Sequence, residues 1–168
     1  MKKIVPFYIL SLLILLVAAG FDVLSEENTY KPVFMLRSEM EKNVKLEEPR
    51  SIKDAGKIYL KDHLIFINEK YKGIHVIDNS NPETPVNIAF IKVDGCIDIA
   101  IKEDILYADN AVDLIALKLN ENINSIEVVK RIKDVFPEPV SPDGRSLTWK
   151  EQQAVPDNAI LVRWETNN

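Results

Sequence analysis

The densest group of side chains able to do chemistry lies between Asp94 and Asp113: Asp94, Asp98, Asp104, Asp109, Asn110 and Asp113. Paired carboxylates support general acid–base catalysis, and convergent carboxylate and amide oxygens hold calcium. An exported hydrolase or a calcium-binding protein using the Asp98–Asp113 cluster is therefore one functional class to weigh. The spacing does not follow an EF-hand loop, which alternates its ligands around a central glycine and closes with glutamate. Most of these residues fall at strand ends, where Asp and Asn are ordinary turn formers. His63 and His75 are the only histidines, and no further ligand to complete a zinc site can be nominated. Cys96 is the only cysteine, which excludes an intramolecular disulfide and a cysteine-based zinc site. Gly95 and Ile97 beside it predict a small buried residue at a strand start. Ser80, Ser141 and Ser146 lack a G-x-S-x-G elbow, and the five scattered glycines make no phosphate-cradling loop. Nothing in these patterns argues for catalysis, so no catalytic, metal or cofactor residue is assigned and a non-enzymatic chain is expected.

The elements that must position these residues occur twice. Residues 58–69 read IYLKDHLIFINE and residues 99–110 read IAIKEDILYADN, an offset of 41 residues. Apolar residues match at Ile58/Ile99, Leu60/Ile101, Leu64/Ile105, Ile65/Leu106 and Phe66/Tyr107; polar ones match at Lys61/Lys102, Asp62/Glu103 and Asn68/Asp109. Short apolar runs bounded by turn signals read as strands. In the first unit they cover 57–60, 64–68, 73–78 and 86–93, with a turn at 79–85 (NSNPETP). In the second they cover 97–101, 105–108, 114–119 and 126–132. Four-stranded antiparallel units repeating at such a period are the signature of propeller blades. Helical crossovers are missing, which argues against a parallel α/β sheet. The expected fold is all-β: two blade-like four-stranded antiparallel repeat units, a partial β-propeller-like arrangement, preceded by a signal or anchor helix and a short capped helix. Two units are too few for a closed ring, so the chain is also readable as a truncated part of a larger propeller.

The stretches GKIYLKDHLIFINE, GIHVIDNSNPETP and DILYADNAVDLIAL resemble LVIVD-repeat proteins, a group of bacterial cell-envelope proteins of β-propeller-like fold. Repeats of that group end in a hydrophobic strand and a D-x-S-(N/D)-P turn, which Asp78, Asn79, Ser80, Asn81 and Pro82 match. The second unit has lost the acidic residue and the proline at Asn120, Glu121 and Asn122. The resemblance covers about residues 30–136 and implies fold and location, with no shared catalytic signature.

Lys2 and Lys3 precede an uncharged run at 4–21, and small residues Ala18, Ala19 and Gly20 lie near its end. This is the pattern of a secretory signal, and the run is also long enough for an uncleaved membrane anchor. Phe21 stands where a lipoprotein would need cysteine. Residues 1–21 are thus a signal peptide or anchor, 22–29 a linker, and 30–168 the β-repeat domain. Its units span about 56–95 and 96–136, and 137–168 form a C-terminal loop and strand. The expected location is the periplasm or cell envelope.

Hydrophobic residues make up 46% of the chain and charged ones 28%, which are globular values. The net charge of −5 argues against nucleic acid as a partner, since phosphate binding needs clustered Lys and Arg. Membrane contact is expected only through the N-terminal segment, if uncleaved. Before the repeats, Ser38 and Glu41 are spaced as a capping box for a helix at about 39–44. Behind them, 137–146 is a proline-rich loop, 147–153 a brief helical turn, and 159–164 a strand expected to pair with one of the repeat sheets. Trp149 and Trp164 could form a binding platform, but packing roles are favoured.

The favoured function is a non-catalytic exported binding or interaction module of the bacterial cell envelope, with an envelope protein or glycan as partner. Binding is expected where the copies differ, in the loops after Asn68 and Asp109: Glu69, Lys70 and Tyr71 in one, Asp109, Asn110 and Asp113 in the other. Self-association through open sheet edges is a further expectation.

Overall fold

Alternation of apolar and polar residues in short runs, punctuated by tight turns, yields eleven strands and two short helices in the computed structural model, which describes residues 28–120 and 122–167. The N-terminal signal or anchor segment at 1–21 and most of the linker lie outside these residues. Among the described residues, no helix is long and apolar enough to cross a membrane.

The first sheet is an antiparallel meander of β3 (Ala55–Lys61), β4 (Leu64–Glu69), β5 (Gly73–Asp78) and β6 (Val86–Lys92). A three-residue strand, β2 (Lys45–Glu47), adds to its far edge by pairing with β6. The second sheet is a four-stranded meander of β7 (Ile99–Lys102), β8 (Ile105–Asn110), β9 (Asp113–Leu119) and β10 (Ile126–Ile132). Neither sheet closes on itself. The matched turn residues Asp62 and Glu103 both take left-handed backbone, with φ of 54° and 55°. Left-handed backbone at these positions suits tight hairpins, and Asp adopts it more readily than Glu.

The two sheets stack on one apolar core. Phe66, Ile74, Val76, Ala89 and Ile91 face it from the first sheet; Ile99, Leu106, Ala108, Ile115 and Leu117 face it from the second. Cys96 is buried in the same core, as expected, but it lies in the link between the sheets and not at a strand start, since β7 begins at Ile99. Each large apolar side chain so enclosed contributes about 1.5–3 kcal/mol. Gly73 is required where β5 begins. Its φ is +144°, and an added Cβ would lie 2.2 Å from the Ile91 carbonyl oxygen.

Several expectations need correction. The helix α1 spans Arg37–Lys42, and no capping box forms at Ser38 and Glu41. Strand β1 (Tyr30–Leu36) runs directly into the helix, so Leu36 holds the N-cap position without a side-chain bond. The Arg37 N–H is satisfied by the Asn158 carbonyl, and Glu41 instead pairs with Lys133. The capping box present is at the second helix, α2 (Trp149–Gln153), where Thr148 and Glu151 exchange bonds with each other's backbone. The last strand, β11 (Ala159–Thr166), joins neither repeat sheet and pairs antiparallel with β1 in a separate two-stranded sheet. It buries both faces, Leu161 on one and Val162 on the other, and Val162 packs with Met40 and Ala111. Trp164 is packed, with Nε1 donating to the Pro139 carbonyl at 2.8 Å, whereas Trp149 stands 76% exposed.

Candidate functional site

The alternation of β8 sends Leu106, Ala108 and Asn110 inward and Ile105, Tyr107 and Asp109 to the other face of the second sheet. On that outer face lies a groove of about 510 Å3. Its floor is Ala100, Tyr107 and Leu114, its rim carries Ile97, Asp98 and Asp109, and its far wall is the segment from Phe136 to Val140. A smaller hollow of about 220 Å3, bounded by Ile105, Ala116, Val129 and Ile132, continues along the same face.

Both rim carboxylates are engaged. Asp109 accepts from the Ile97 N–H at 2.8 Å and the Asp98 N–H at 2.7 Å, so it pins the strand entering the second sheet. Burial pushes the Asp109 carboxyl above its ordinary range, and those backbone donors only partly offset it. Asp98 accepts from the Tyr59 hydroxyl at 2.7 Å and from the Ile99 N–H at 2.8 Å, and it pairs with Lys57. Burial also opposes ionisation of Asp98, but the bonds from Lys57 and Tyr59 outweigh it and hold this carboxyl low. The matched residue of the first unit, Asn68, plays a related part. Its amide donates toward the Cys96 carbonyl and sulfur from the other side, at 3.4 and 3.3 Å. The matched pair Asn68 and Asp109 thus clamps the connector between the sheets.

Of the remaining residues named from the sequence, Asp113 and Asn110 share one buried cluster and Glu69 belongs to another. Asp113 is fully buried and receives Arg37 and Arg131, each at 2.8 Å, along with the Asp134 N–H at 3.1 Å. Asn110 belongs to this cluster: its oxygen accepts from Arg131, and its amide donates to the Asp94 carbonyl at 2.7 Å. Burial works against the Asp113 charge, yet the hydrogen bonds from Arg37, the Asp134 N–H and Arg131 prevail and keep its carboxyl low. Glu69, 2% exposed, contacts His75 Nε2 at 2.7 Å, with Arg50 at 3.5 Å and Lys72 at 3.8 Å. Tyr71, at φ 65°, donates its N–H to the Cys96 carbonyl at 2.6 Å, which inserts this loop into the inter-sheet link. Lys70 is exposed, its ammonium 5.1 Å from the Tyr71 ring.

The acidic cluster therefore does not converge. Asp94 accepts from Asn43, Asp104 stands exposed near Lys61, and Asp98, Asp109 and Asp113 each answer to different partners. Among the described residues, no three His, Cys, Asp or Glu side chains are grouped to hold a metal ion. The groove was missed from the sequence, although the alternate placement of Ile105 and Tyr107 was a readable signal for a second apolar face. The chain matches no protein-family model, no curated protein and no solved structure.

Proposed function

We propose that the protein is a non-catalytic exported interaction module of the bacterial cell envelope, whose two repeat sheets are blade-like units of a partial propeller. The observation that carries this reading is the apolar groove of about 510 Å3 on the outer face of the second sheet. A concave apolar surface with a few polar groups at its rim is the usual form of a binding site. The rim carboxylates support binding rather than turnover, because Asp98 and Asp109 already accept hydrogen bonds from the fold itself. Export rests on the basic start and apolar run of residues 2–21, and the envelope setting on the resemblance to LVIVD-repeat proteins.

The test is a photo-crosslinking residue in place of the exposed Ala100, in the full-length protein in its own cell envelope. A covalent adduct at position 100, absent from the same probe at the exposed turn residue Gly144, is the expected result. No adduct above that control overturns the assignment of the groove.

A second reading draws on Asp98 and Asp109. Both line the groove rim, Asp109 accepting from the Asp98 N–H, and their carboxyls are shifted in opposite directions, the kind of split that separates acid from base in hydrolases. If Asp98→Asn and Asp109→Asn leave every measured hydrolytic activity and the calcium affinity of the folded protein unchanged, this reading is finished.

A further inference from the structure

Resting on the assignment of the groove as an interaction surface, we infer that its occupant is a second copy of this chain. That copy lays the outer face of its first sheet on the outer face of the second sheet, repeating the junction that already exists inside each molecule.

The inference follows from how the repeat maps onto the stack. Phe66 of the first sheet lies in the core between the sheets, fully buried. Its match at an offset of 41 residues, Tyr107, lies on the outer face of the second sheet and lines the groove. The reverse holds for the other face. Leu106 and Ala108 are core residues of the second sheet, and their matches Ile65 and Ile67 point away from the core in the first. Equivalent residues therefore point the same way in both sheets, and the sheets stack front on back. Among the described residues, this front-on-back stack leaves one front and one back uncovered at its two ends. The free front is the groove face, with Ala100, Ile105, Tyr107 and Leu114. The free back carries Ile58 and Leu60, exposed by 64% and 70%, beside Ile65 and Ile67 on the same face. Each is the counterpart of a face that is buried inside the molecule.

The charges agree with this arrangement. The internal junction contains the ion pair Lys57–Asp98, whose members occupy equivalent positions, 41 residues apart. Stacking a second copy in the same way sets Asp98 of one molecule opposite Lys57 of the next, so opposite charges meet again with the sense reversed. Ala100 then takes the place that Tyr59 holds in the internal junction, leaving room for the longer lysine.

The chain after the second sheet shows where the next unit would lie. Gly95 N–H donates to the Tyr71 carbonyl at 2.9 Å, and Phe136 N–H donates to the Val112 carbonyl at 2.9 Å, again at the repeat offset. The segment 95–99 goes on into β7 and covers the first sheet. The segment 136–140 starts along the equivalent path, then turns off through Pro137 and Pro139 and supplies no covering strands. The groove is the volume between this segment and the sheet. An interface of unlike faces generates rings or open chains rather than a closed two-fold dimer.

The test uses two populations of the full-length protein, one carrying Ala100→Cys and the other Lys57→Cys, each with its own affinity tag, mixed and mildly oxidised. Both positions are exposed and native Cys96 is buried, so background pairing is not at stake; Lys57→Cys also removes the exposed ion pair with Asp98, and a thermal melt of each variant shows that it folds. The expected result is a product of twice the chain mass that carries both tags, with none from either population alone. Pairing of Ala100→Cys with itself would overturn the inference in favour of a front-on-front dimer. Absence of any disulfide product, while the photo-probe at Ala100 still captures a different protein, would overturn it and leave the interaction-module reading standing. If the photo-probe also captures nothing, both readings fall together.

Discussion

Asp113→Asn preserves the shape of the most connected buried carboxylate and removes its charge. Arg37 arrives from α1, Arg131 from β10 and the Asp134 N–H from the segment beyond, so this one group ties the two-stranded sheet to the second repeat sheet. Deleting one member of a buried ion pair costs about 3–5 kcal/mol, because the surviving charge is left in a poorly solvated site. Here the loss is smaller. The Arg37 and Arg131 side chains are 21% and 13% exposed, and they keep Asp134 and Asn110 as alternative partners. A net loss of about 2–4 kcal/mol is expected. With a urea dependence of about 2 kcal/mol per molar, the unfolding midpoint should fall by about 1–2 M at neutral pH. Fluorescence of the buried Trp164 reports the transition.

The same carboxylate sets a pH signature. Its folded form holds the proton less readily than the unfolded chain, so its stabilisation is present in full above the unfolded carboxylate range, about pH 4. It is lost as pH falls through that range toward the lower folded value. The gap between wild type and Asp113→Asn should therefore narrow on acidification. Equal midpoints at neutral pH, or a gap that widens as pH falls, would refute the reasoning.

Three further outcomes can be checked directly. Gly73→Ala should cost at least about 3 kcal/mol, because both the positive φ and the Ile91 carbonyl oppose a side chain, and a thermal melt within a few degrees of wild type would contradict it. Burial pushes the Cys96 thiol well above its usual range, so a thiol reagent should leave the native protein unlabelled and label it fully in urea; rapid native labelling would show that the link opens. The Glu151 carboxyl is held down to about 2 by Arg145, with burial opposing and the Thr148 donors assisting. Glu151→Gln should thus lower stability at neutral pH by at most about 3 kcal/mol, a deficit that fades as pH falls below about 4.5, and carboxyl NMR of wild type titrating in the ordinary range would rule this out.

The strands were legible because local pattern and tertiary burial agree in them. β5 and β10 occupy the residues expected, since GIHVID and IEVVKRI are bounded by strong turn residues on both sides. What failed depended on partners distant in the chain. Ser38 and Glu41 satisfy the spacing of a capping box, but strand β1 continues to Leu36 and Lys133 claims the glutamate. β11 reads as a strand from its composition, yet nothing in AILVRW specifies β1 as its neighbour. The candidate loops are the places where the copies differ. Of those six residues Glu69, Asn110 and Asp113 are at most 2% exposed, because a buried carboxylate and its buried partner look, in sequence, like any polar turn. The groove is not legible in the sequence because the repeat shows which positions match but does not show which of the two sheet faces is covered.

That distinction decides what the repeat means. Were its matched positions simply core, Phe66 and Tyr107 would share one environment, and they do not. The repeat encodes an ordered pair of faces together with the connector that carries the chain from one sheet to the next, gripped by Asn68 on one side and Asp109 on the other. Such a stack has no intrinsic end, so each end needs its own treatment. At the back, the residues around Arg50 cross part of the face: the guanidinium lies 3.4 Å from the Phe90 ring centroid, and the Arg50 carbonyl accepts from Asn87 at 2.8 Å. The β5–β6 side is shielded in this way, while Ile58 and Leu60 on β3 stay open. At the front, the segment 136–140 borders the face without filling it. Among the described residues, the uncovered portions are β3 and β4 at one end and β7 and β8 at the other. These are the strands through which the matched halves of the repeat run, and they are where a further layer would find the shape that the molecule already accepts within itself.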